Sequence, residues 1–176
     1  MKRDIKEFSG LLLNEDYLFR DIRGTLLKIQ IPDENRIESV LVSENSKAGT
    51  VRGLHFQITP FEETKIVKCV TGKVIDFLVD LRKESSTYGD WCAIQLAADI
   101  PNSILIPPGF AHGFQTLVDN SSLLYCISGK FQALSSVHLN ILDPELDIVL
   151  PLPISRISDN DLAGISFSKY TEMRSE

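Results

Sequence analysis

The sequence contains few of the residues that would commit it to several common classes of protein. Cys69, Cys92 and Cys126 are the only cysteines in a chain of 176 residues. Their number is odd, and no two of them form a Cys-x-x-Cys pair, so neither a disulfide framework nor a cysteine zinc site is expected. Reduced, structural thiols are the simpler interpretation.

Long apolar segments and clusters of positive charge are also missing. The first ten residues alternate charged side chains with isolated apolar ones, which is untypical of a signal peptide or a membrane span. The formal net charge is −6, and no group of Lys and Arg is concentrated enough to bind nucleic-acid phosphates. We therefore predict a cytoplasmic protein that binds neither membrane nor nucleic acid, in which any anionic ligand is bound by a few local groups.

What the sequence does contain is a series of short hydrophobic runs. With 43% hydrophobic residues and no repeat or linker, residues 1–176 are predicted to form one domain with a substantial core. Regularly spaced short runs are typical of an all-β sandwich or barrel. The predicted strands are Leu26–Ile31, Ser39–Ser43, Lys65–Val70, Lys73–Leu81, Trp91–Leu96, Ser103–Ile106, Gly113–Leu117 and Leu123–Ser128.

Two local signals add detail to this pattern. Thr71-Gly72 lies between two apolar runs and predicts a β-hairpin, because glycine supplies the positive φ of a tight turn. A helix is expected only near the C-terminus, where Ser158-Asp159-Asn160-Asp161 favours a cap before Leu162. A capping role is accordingly the simplest interpretation of Asp161.

Histidine is as scarce as cysteine, with His55, His112 and His138 alone. A histidine is often packed or exposed without a chemical role, so context decides its interpretation. His55 follows Arg52 and Gly53, a setting that suits an anion beside a base. His112 follows a rigid Pro-Pro-Gly turn that aims it at the start of a strand. His138 has no comparable context and is predicted to be structural.

The remaining candidates leave alternatives open. No two histidines stand two residues apart, so three or four convergent metal ligands are not expected. Lys65 shares a strand face with Val67 and Cys69, and it either points into the barrel or lies at an edge with its ammonium in solvent. Tyr125 is compatible with an ordinary strand aromatic, and Arg23 with a surface salt bridge.

Several motifs together resemble the dTDP-4-dehydrorhamnose 3,5-epimerase family over about residues 19–161. The resemblance implies a double-stranded β-helix, a jelly-roll barrel of the cupin type, which forms a homodimer and uses neither metal nor organic cofactor. The matching strings are long, specific and in the same order as in the family. They are Arg-Gly-Leu-His-Phe-Gln at 52–57, Lys65 with Gly72, Asp76 and Asp80-Leu81-Arg82, and Pro-Pro-Gly-Phe-Ala-His-Gly-Phe at 107–114.

The resemblance also implies roles for individual residues. His55 matches the general base, Asp161 the carboxylate that orients it, and Tyr125 the acid that returns a proton from the opposite face. Lys65 and His112 match groups that face the carbonyl oxygen of the sugar. The matched substrate-binding positions are Arg23 and Arg52 for the diphosphate, together with Gln57, Lys130 and Phe131.

These residue types suit proton transfer next to a ketone. Such a C–H bond is weakly acidic, so its removal needs a base that titrates near neutrality and groups that stabilise the enolate oxygen. A carboxylate that fixes the imidazole follows the logic of a catalytic triad. The predicted function is epimerisation at C3, C5 or both of a nucleoside-diphospho-4-keto-6-deoxyhexose. The alternatives are a 3,4-ketoisomerase and a non-catalytic barrel that binds sugar nucleotides.

The chain departs from the family where the nucleobase is bound. Thr25-Leu26-Leu27 replaces aromatic residues, Lys28 replaces an acidic residue, and Lys130-Phe131 replaces a Tyr-Tyr pair. The loss of stacking rings and the reversed charge are expected to change which base is accepted. A dTDP-sugar is the favoured substrate, with CDP, UDP and GDP carriers as alternatives.

Overall fold

The computed structural model describes residues 1–32 and 36–174. In this part of the chain, strands dominate and the helices are short. The 3₁₀ turns are Ile5–Glu7 and Ala133–Ser135, and the helices are α1 (Asp159–Leu162) and α2 (Phe167–Met173). The strands are β1 (Leu12–Glu15), β2 (Tyr17–Asp21), β3 (Gly24–Lys28), β4 (Ser39–Asn45), β5 (Val51–Gln57), β6 (Lys65–Thr71), β7 (Lys73–Asp80), β8 (Trp91–Ala97), β9 (Asn102–Ile106), β10 (Phe110–Thr116), β11 (Ser121–Ile127) and β12 (Ser136–His138).

Ten of these strands form two five-stranded antiparallel sheets. The first sheet has the order β1-β9-β6-β11-β4 and the second β12-β5-β10-β7-β8, while β2 and β3 form a separate hairpin. From β4 onward the chain passes repeatedly from one sheet to the other, as in a jelly roll. The predicted all-β barrel of the cupin type is therefore confirmed.

The turn at Thr71-Gly72 is not a hairpin, and that prediction is wrong. Strand β6 pairs with β9 and β11, whereas β7 pairs with β8 and β10, so the chain crosses between the sheets at Gly72. Gly72 has φ of 73°, and a Cβ there would lie 2.4 Å from Ser121 Oγ. The glycine does mark a tight turn, but a turn signal carries no information about which strands pair.

The core lies between the two sheets, where Val67 of β6 and Leu78 of β7 are fully buried. A second apolar cluster covers the outer face of the second sheet, because the C-terminal segment folds over it and adds Phe167 to the cluster that contains Phe77. Strand β7 is therefore buried on both faces, which explains its nearly continuous apolar sequence. The hydrophobic runs predicted as strands all overlap observed strands.

Both helices belong to this C-terminal segment. The Oγ atom of Ser158 accepts from the Asp161 N–H at 3.1 Å, so the predicted helix start is confirmed. The second helix, α2, was not predicted, and its start is capped in the same way by Ser166. Neither helix, nor any other among the described residues, has the length and apolar character to cross a membrane.

Strand β5 carries the Arg-Gly-Leu-His stretch and was not predicted, because a bulge breaks its pattern. Against β10, Arg52 pairs with Phe114 and His55 with His112, so two residues of β5 oppose Gly113 alone. A bulge of this kind brings side chains three positions apart onto the same face. Gly53 has φ of 106°, and a Cβ there would lie 2.6 Å from the His112 carbonyl oxygen. Glycine is therefore required for Arg52 and His55 to face the barrel interior together.

Candidate active site

A cavity of about 820 Å³ opens between the two sheets. Its volume is that of a typical small-molecule site, and its polar groups converge from both sides. The second sheet contributes Arg52, His55, His112 and His138, and the first contributes Lys65 and Tyr125.

The histidines of the chain lie in a single row across three neighbouring strands. His138 of β12 is directly opposite His55 of β5, and His55 is directly opposite His112 of β10. Directly opposed residues point to the same face of a sheet, so all three imidazoles line the cavity. The sequence prediction that His138 is merely structural misses this placement, since only the register of β12 on β5 creates it.

His55 forms a short hydrogen bond to Asp161, with Nε2 2.6 Å from Oδ1. The Asp161 side chain is 4% exposed, and its Oδ2 accepts the Gly53 N–H at 3.3 Å. Burial favours the neutral acid and would raise the pKa of Asp161. The hydrogen bond and charge of His55, together with hydrogen bonds from the Gly53 N–H and from His138, outweigh burial and lower this pKa to about 2. The carboxylate is therefore ionised at neutral pH. It holds the Nε2 proton of His55 and leaves Nδ1 as the basic nitrogen.

A second His–Asp pair lies deeper in the same sheet. His112 Nε2 is 3.0 Å from Asp76 Oδ1, and both side chains are buried. The His112 ring meets the Tyr125 ring edge to face, with centroids 5.9 Å apart. Burial and the nearby charge of Asp76 raise the pKa of Tyr125 well above its usual value, although Arg52 opposes the shift. Tyr125 is therefore a protonated phenol at neutral pH and can act as a proton donor.

Lys65 points into the barrel, which resolves the two orientations that the sequence left open. Its ammonium lies 2.9 Å from Glu63 Oε1 and donates to the His55 carbonyl oxygen at 3.4 Å. Arg52 is held by a bond from its Nε to Asn45 Oδ1 at 2.8 Å. The cavity thus presents two positively charged side chains that are held in place. Lys65 of β6 lies beside the backbone of His55, and Arg52 lies three residues before His55 on β5.

Gln57 is occupied by the protein itself. Its amide nitrogen donates to Phe61 O, Glu63 Oε2 and Lys130 O at 3.0, 3.1 and 3.3 Å, and its Oε1 accepts the Gln132 N–H at 2.7 Å. These bonds tie two loops together at the rim of the cavity. Lys130 contributes only its carbonyl to this arrangement.

Two further predicted binding residues differ in their positions. Phe131 lies on the cavity wall, and its side chain is 72% exposed. Arg23 lies at the turn of the β2–β3 hairpin, where it pairs with Asp21, is 85% exposed and does not line the cavity. Within one copy of the chain, the fold leaves Arg23 apart from the cavity, and Lys130 is exposed and does not line the cavity either.

The ligating atoms of His55, His138 and Asp161 lie within 4.8 Å of one another, so a metal ion has to be considered. However, both imidazoles contact the same oxygen, Asp161 Oδ1, at 2.6 and 3.0 Å. Ligands of a tetrahedral Zn²⁺ at about 2.0–2.1 Å from the metal stand about 3.3 Å apart. The observed distances fit hydrogen bonds better than a shared ion.

Fold and site together define a class: a cupin-type barrel whose pocket is equipped for proton transfer on a polar substrate. The family model described as dTDP-4-dehydrorhamnose 3,5-epimerase matches residues 6–169. The chain belongs to this family.

Individual relatives agree with the assignment. A dTDP-4-dehydrorhamnose 3,5-epimerase of Shigella flexneri is 32% identical over 168 residues, which cover 92% of this chain and 93% of that protein. The structure of the Bacillus anthracis 3,5-epimerase with TDP and PPi bound is 33% identical, with a TM-score of 0.84 over 90% of this chain and 95% of that one. A 3'-monoepimerase of Streptomyces bikiniensis in complex with dTDP-quinovose is 26% identical, with a TM-score of 0.85 over 94% and 87%.

Proposed function

We propose that the protein inverts C3, C5 or both carbons of a nucleoside-diphospho-4-keto-6-deoxyhexose, without a metal or organic cofactor. The observation that carries the proposal is the position of His55 and Tyr125 on facing sheets of one cavity. A sugar ring bound between them has a base on one face and an acid on the other. Inversion needs this arrangement, because a single base returns the proton to the face from which it came.

The proposed step begins when His55 Nδ1 takes the proton from the carbon next to the C4 ketone. The C–H electron pair forms the C=C bond of an enolate, and the carbonyl electrons move onto the C4 oxygen. The ammonium of Lys65 stabilises this oxygen, and His112 does so in its doubly protonated form, in which Asp76 accepts from Nε2–H and Nδ1–H donates to the oxygen. Tyr125 then donates its phenol proton to the opposite face, the ketone re-forms, and both residues re-equilibrate their protons with solvent.

The nucleotide part of the proposal rests on Arg52 and on the relatives. Arg52 supplies a fixed guanidinium suited to phosphate oxygens. The Bacillus anthracis and Streptomyces bikiniensis proteins are solved with TDP and dTDP-quinovose. A dTDP-sugar is thus the favoured substrate, with CDP, UDP and GDP carriers as alternatives because of Thr25-Leu26-Leu27 and Lys28.

Deuterium incorporation tests this function directly. Incubation with dTDP-4-keto-6-deoxyglucose in deuterium oxide is expected to place label at C3, C5 or both, because each inverted carbon receives its new proton from solvent. Mass spectrometry and NMR of the recovered sugar locate the label and count the inverted centres. The CDP, UDP and GDP sugars are run in parallel to identify the preferred base.

Analysis of the product, together with a melting temperature measured with the nucleotide sugar, separates the epimerase from the two alternative functions. A 3,4-ketoisomerase would yield a 3-keto sugar. A barrel that only binds would raise its melting temperature with the nucleotide sugar while no label enters. Failure to label any of the four substrates would contradict the proposed function.

We further propose that the protein is a homodimer in which the β2–β3 hairpin packs on strand β4 of the second copy. The hairpin stands apart from both sheets, and its Phe19 and Leu26 side chains are 55% and 67% exposed. Strand β4 is the edge of the first sheet, with β11 on one side and no described strand on the other, and its consecutive residues Val40, Leu41 and Val42 are each more than half exposed. Leu41 also lines the cavity, so a hairpin docked there brings Arg23 of the partner to the cavity mouth.

Sedimentation equilibrium tests this assembly. The wild-type protein is expected to have twice the mass of the chain, and Val40→Asp is expected to shift it to the monomer, because a charge would be buried against the apolar hairpin. Val149→Asp, at an exposed valine outside this surface, is the matched control. A monomeric wild type would contradict the assembly.

We make two wider proposals about the protein. The first is that residues 1–176 form a single domain. We also propose a cytoplasmic location, which is supported by three free, buried cysteines.

A further inference from the structure

We propose that His138 is a positioning residue, which holds the Asp161 carboxylate in place so that Asp161 can orient His55. This inference deepens the proposed epimerase function and rests on it. It concerns a histidine that the family motifs in the sequence did not single out.

The contacts place one carboxylate between two imidazoles. His138 Nδ1 lies 3.0 Å from Asp161 Oδ1, the same oxygen that is 2.6 Å from His55 Nε2. The two rings are 4.4 Å apart between centroids. Because Asp161 is buried, hydrogen bonds from the protein rather than water determine its orientation.

Backbone hydrogen bonds connect the segment around His138 both to the strand of His55 and to the segment that follows the helix of Asp161. The next residue, Leu139, exchanges two backbone hydrogen bonds with Leu54 of β5, at 2.9 and 3.1 Å. The carbonyl of His138 accepts the Ile165 N–H at 2.9 Å, which anchors the segment that follows α1. His138 therefore lies where the strand of the base and the helix of the carboxylate are joined.

The charge of Asp161 fixes the tautomer of His138. An ionised carboxylate only accepts hydrogen bonds, so the neutral imidazole carries its proton on Nδ1. Asp161 then has three donors on two strands: the Gly53 N–H and His55 on β5, and His138 on β12. The donor from His55 cannot position the carboxylate independently, because His55 is itself the group to be oriented. Without His138, the Gly53 N–H at 3.3 Å is the one donor among the described residues that fixes the carboxylate from outside the pair.

A matched pair of variants tests the role. Leucine and asparagine have the same branched shape, but only asparagine restores an N–H donor near the position of Nδ1. We expect His138→Leu to lower kcat for deuterium incorporation about tenfold with KM unchanged, the lower end of losses seen when an orienting partner is removed. His138→Asn should recover most of this loss. Leu134→Ala, at a fully exposed side chain just before β12, should behave as the wild type.

A second readout does not depend on any substrate. The imidazole N–H proton that His55 donates to Asp161 should give a low-field proton NMR signal in the wild type and in His138→Asn. In His138→Leu the signal should disappear, because a carboxylate that moves away exposes the proton to solvent exchange. Circular dichroism determines whether each variant is folded. If His138→Leu does not fold, His138→Asn still tests the role.

Three results would overturn the inference. The first is an unchanged kcat and a persistent low-field signal in His138→Leu. The second is an equal loss in the leucine and asparagine variants. The third is a loss confined to one of two labelled carbons, which would make His138 a base in its own right. If the wild type labels no sugar nucleotide but the NMR signal still depends on His138, then the proposed function fails and the positioning role stands.

Discussion

His55→Gln is expected to lower kcat for deuterium incorporation by roughly 10³- to 10⁴-fold, the upper part of the range for loss of a general base. Glutamine has no nitrogen that accepts a proton near neutral pH. Its amide is nevertheless long enough to donate to Asp161, which also keeps its bonds to Gly53 and His138. The site should therefore remain folded while the chemistry stops, and label transfer measured by mass spectrometry at saturating substrate reports the loss.

Binding provides the control for this variant. The proposed diphosphate contact, Arg52, is untouched by the substitution, so the dissociation constant for dTDP measured by calorimetry should stay within about threefold of the wild type. If His55→Gln retained most of the exchange activity, another group would have to be the base. If it lost dTDP binding together with activity, the loss of rate would no longer identify a base.

Tyr125→Phe is expected to separate proton removal from inversion. The phenol is the proposed donor to the second face, so the amount of inverted product should fall about 100-fold or more, in the range for loss of a general acid. His55 is unaffected and can return a deuteron from the first face. Substrate recovered from deuterium oxide should therefore contain label with its original configuration, as seen by mass spectrometry and by proton couplings in NMR.

The environment of Tyr125 also predicts how inversion by the wild type depends on pH. Because burial and Asp76 hold its pKa well above the usual value, the wild type should show no loss of inversion from tyrosine ionisation up to about pH 10. Tyr170→Phe, a buried tyrosine outside the cavity, is the matched control and should leave both measurements unchanged. Inverted product formed at the wild-type rate by Tyr125→Phe would show that water or another residue supplies the proton.

The sequence predicted the fold class well, because strands that bury one or both faces show short apolar runs in the local sequence. It failed at Thr71-Gly72, because a glycine turn between two apolar runs does not indicate whether its flanking strands pair with each other. It also missed β5, because the bulge at Gly53 interrupts the alternation that identifies a strand. Bulges and pairing partners depend on strands far away in the chain, and local patterns do not encode them.

The family resemblance singled out His55, Lys65, His112, Tyr125 and Asp161, but their arrangement required the structure. His55 and Asp161 are 106 positions apart in sequence and meet at 2.6 Å only because α1 folds back onto β5. His138 illustrates the opposite case. Its own neighbours in sequence give no hint of a role, and it joins the site because β12 pairs with β5 in one particular register.

By itself, then, the sequence determined which residue types were available for chemistry and that the chain would form an all-β sandwich or barrel. Both follow from local composition and from the period-two burial of strands. Only the tertiary structure decided which strands pair, that the three histidines share one row, and that Arg23 lies outside the cavity of its own chain. These features come from contacts between distant segments, whose free energies depend on packing and hydrogen bonding in the complete fold.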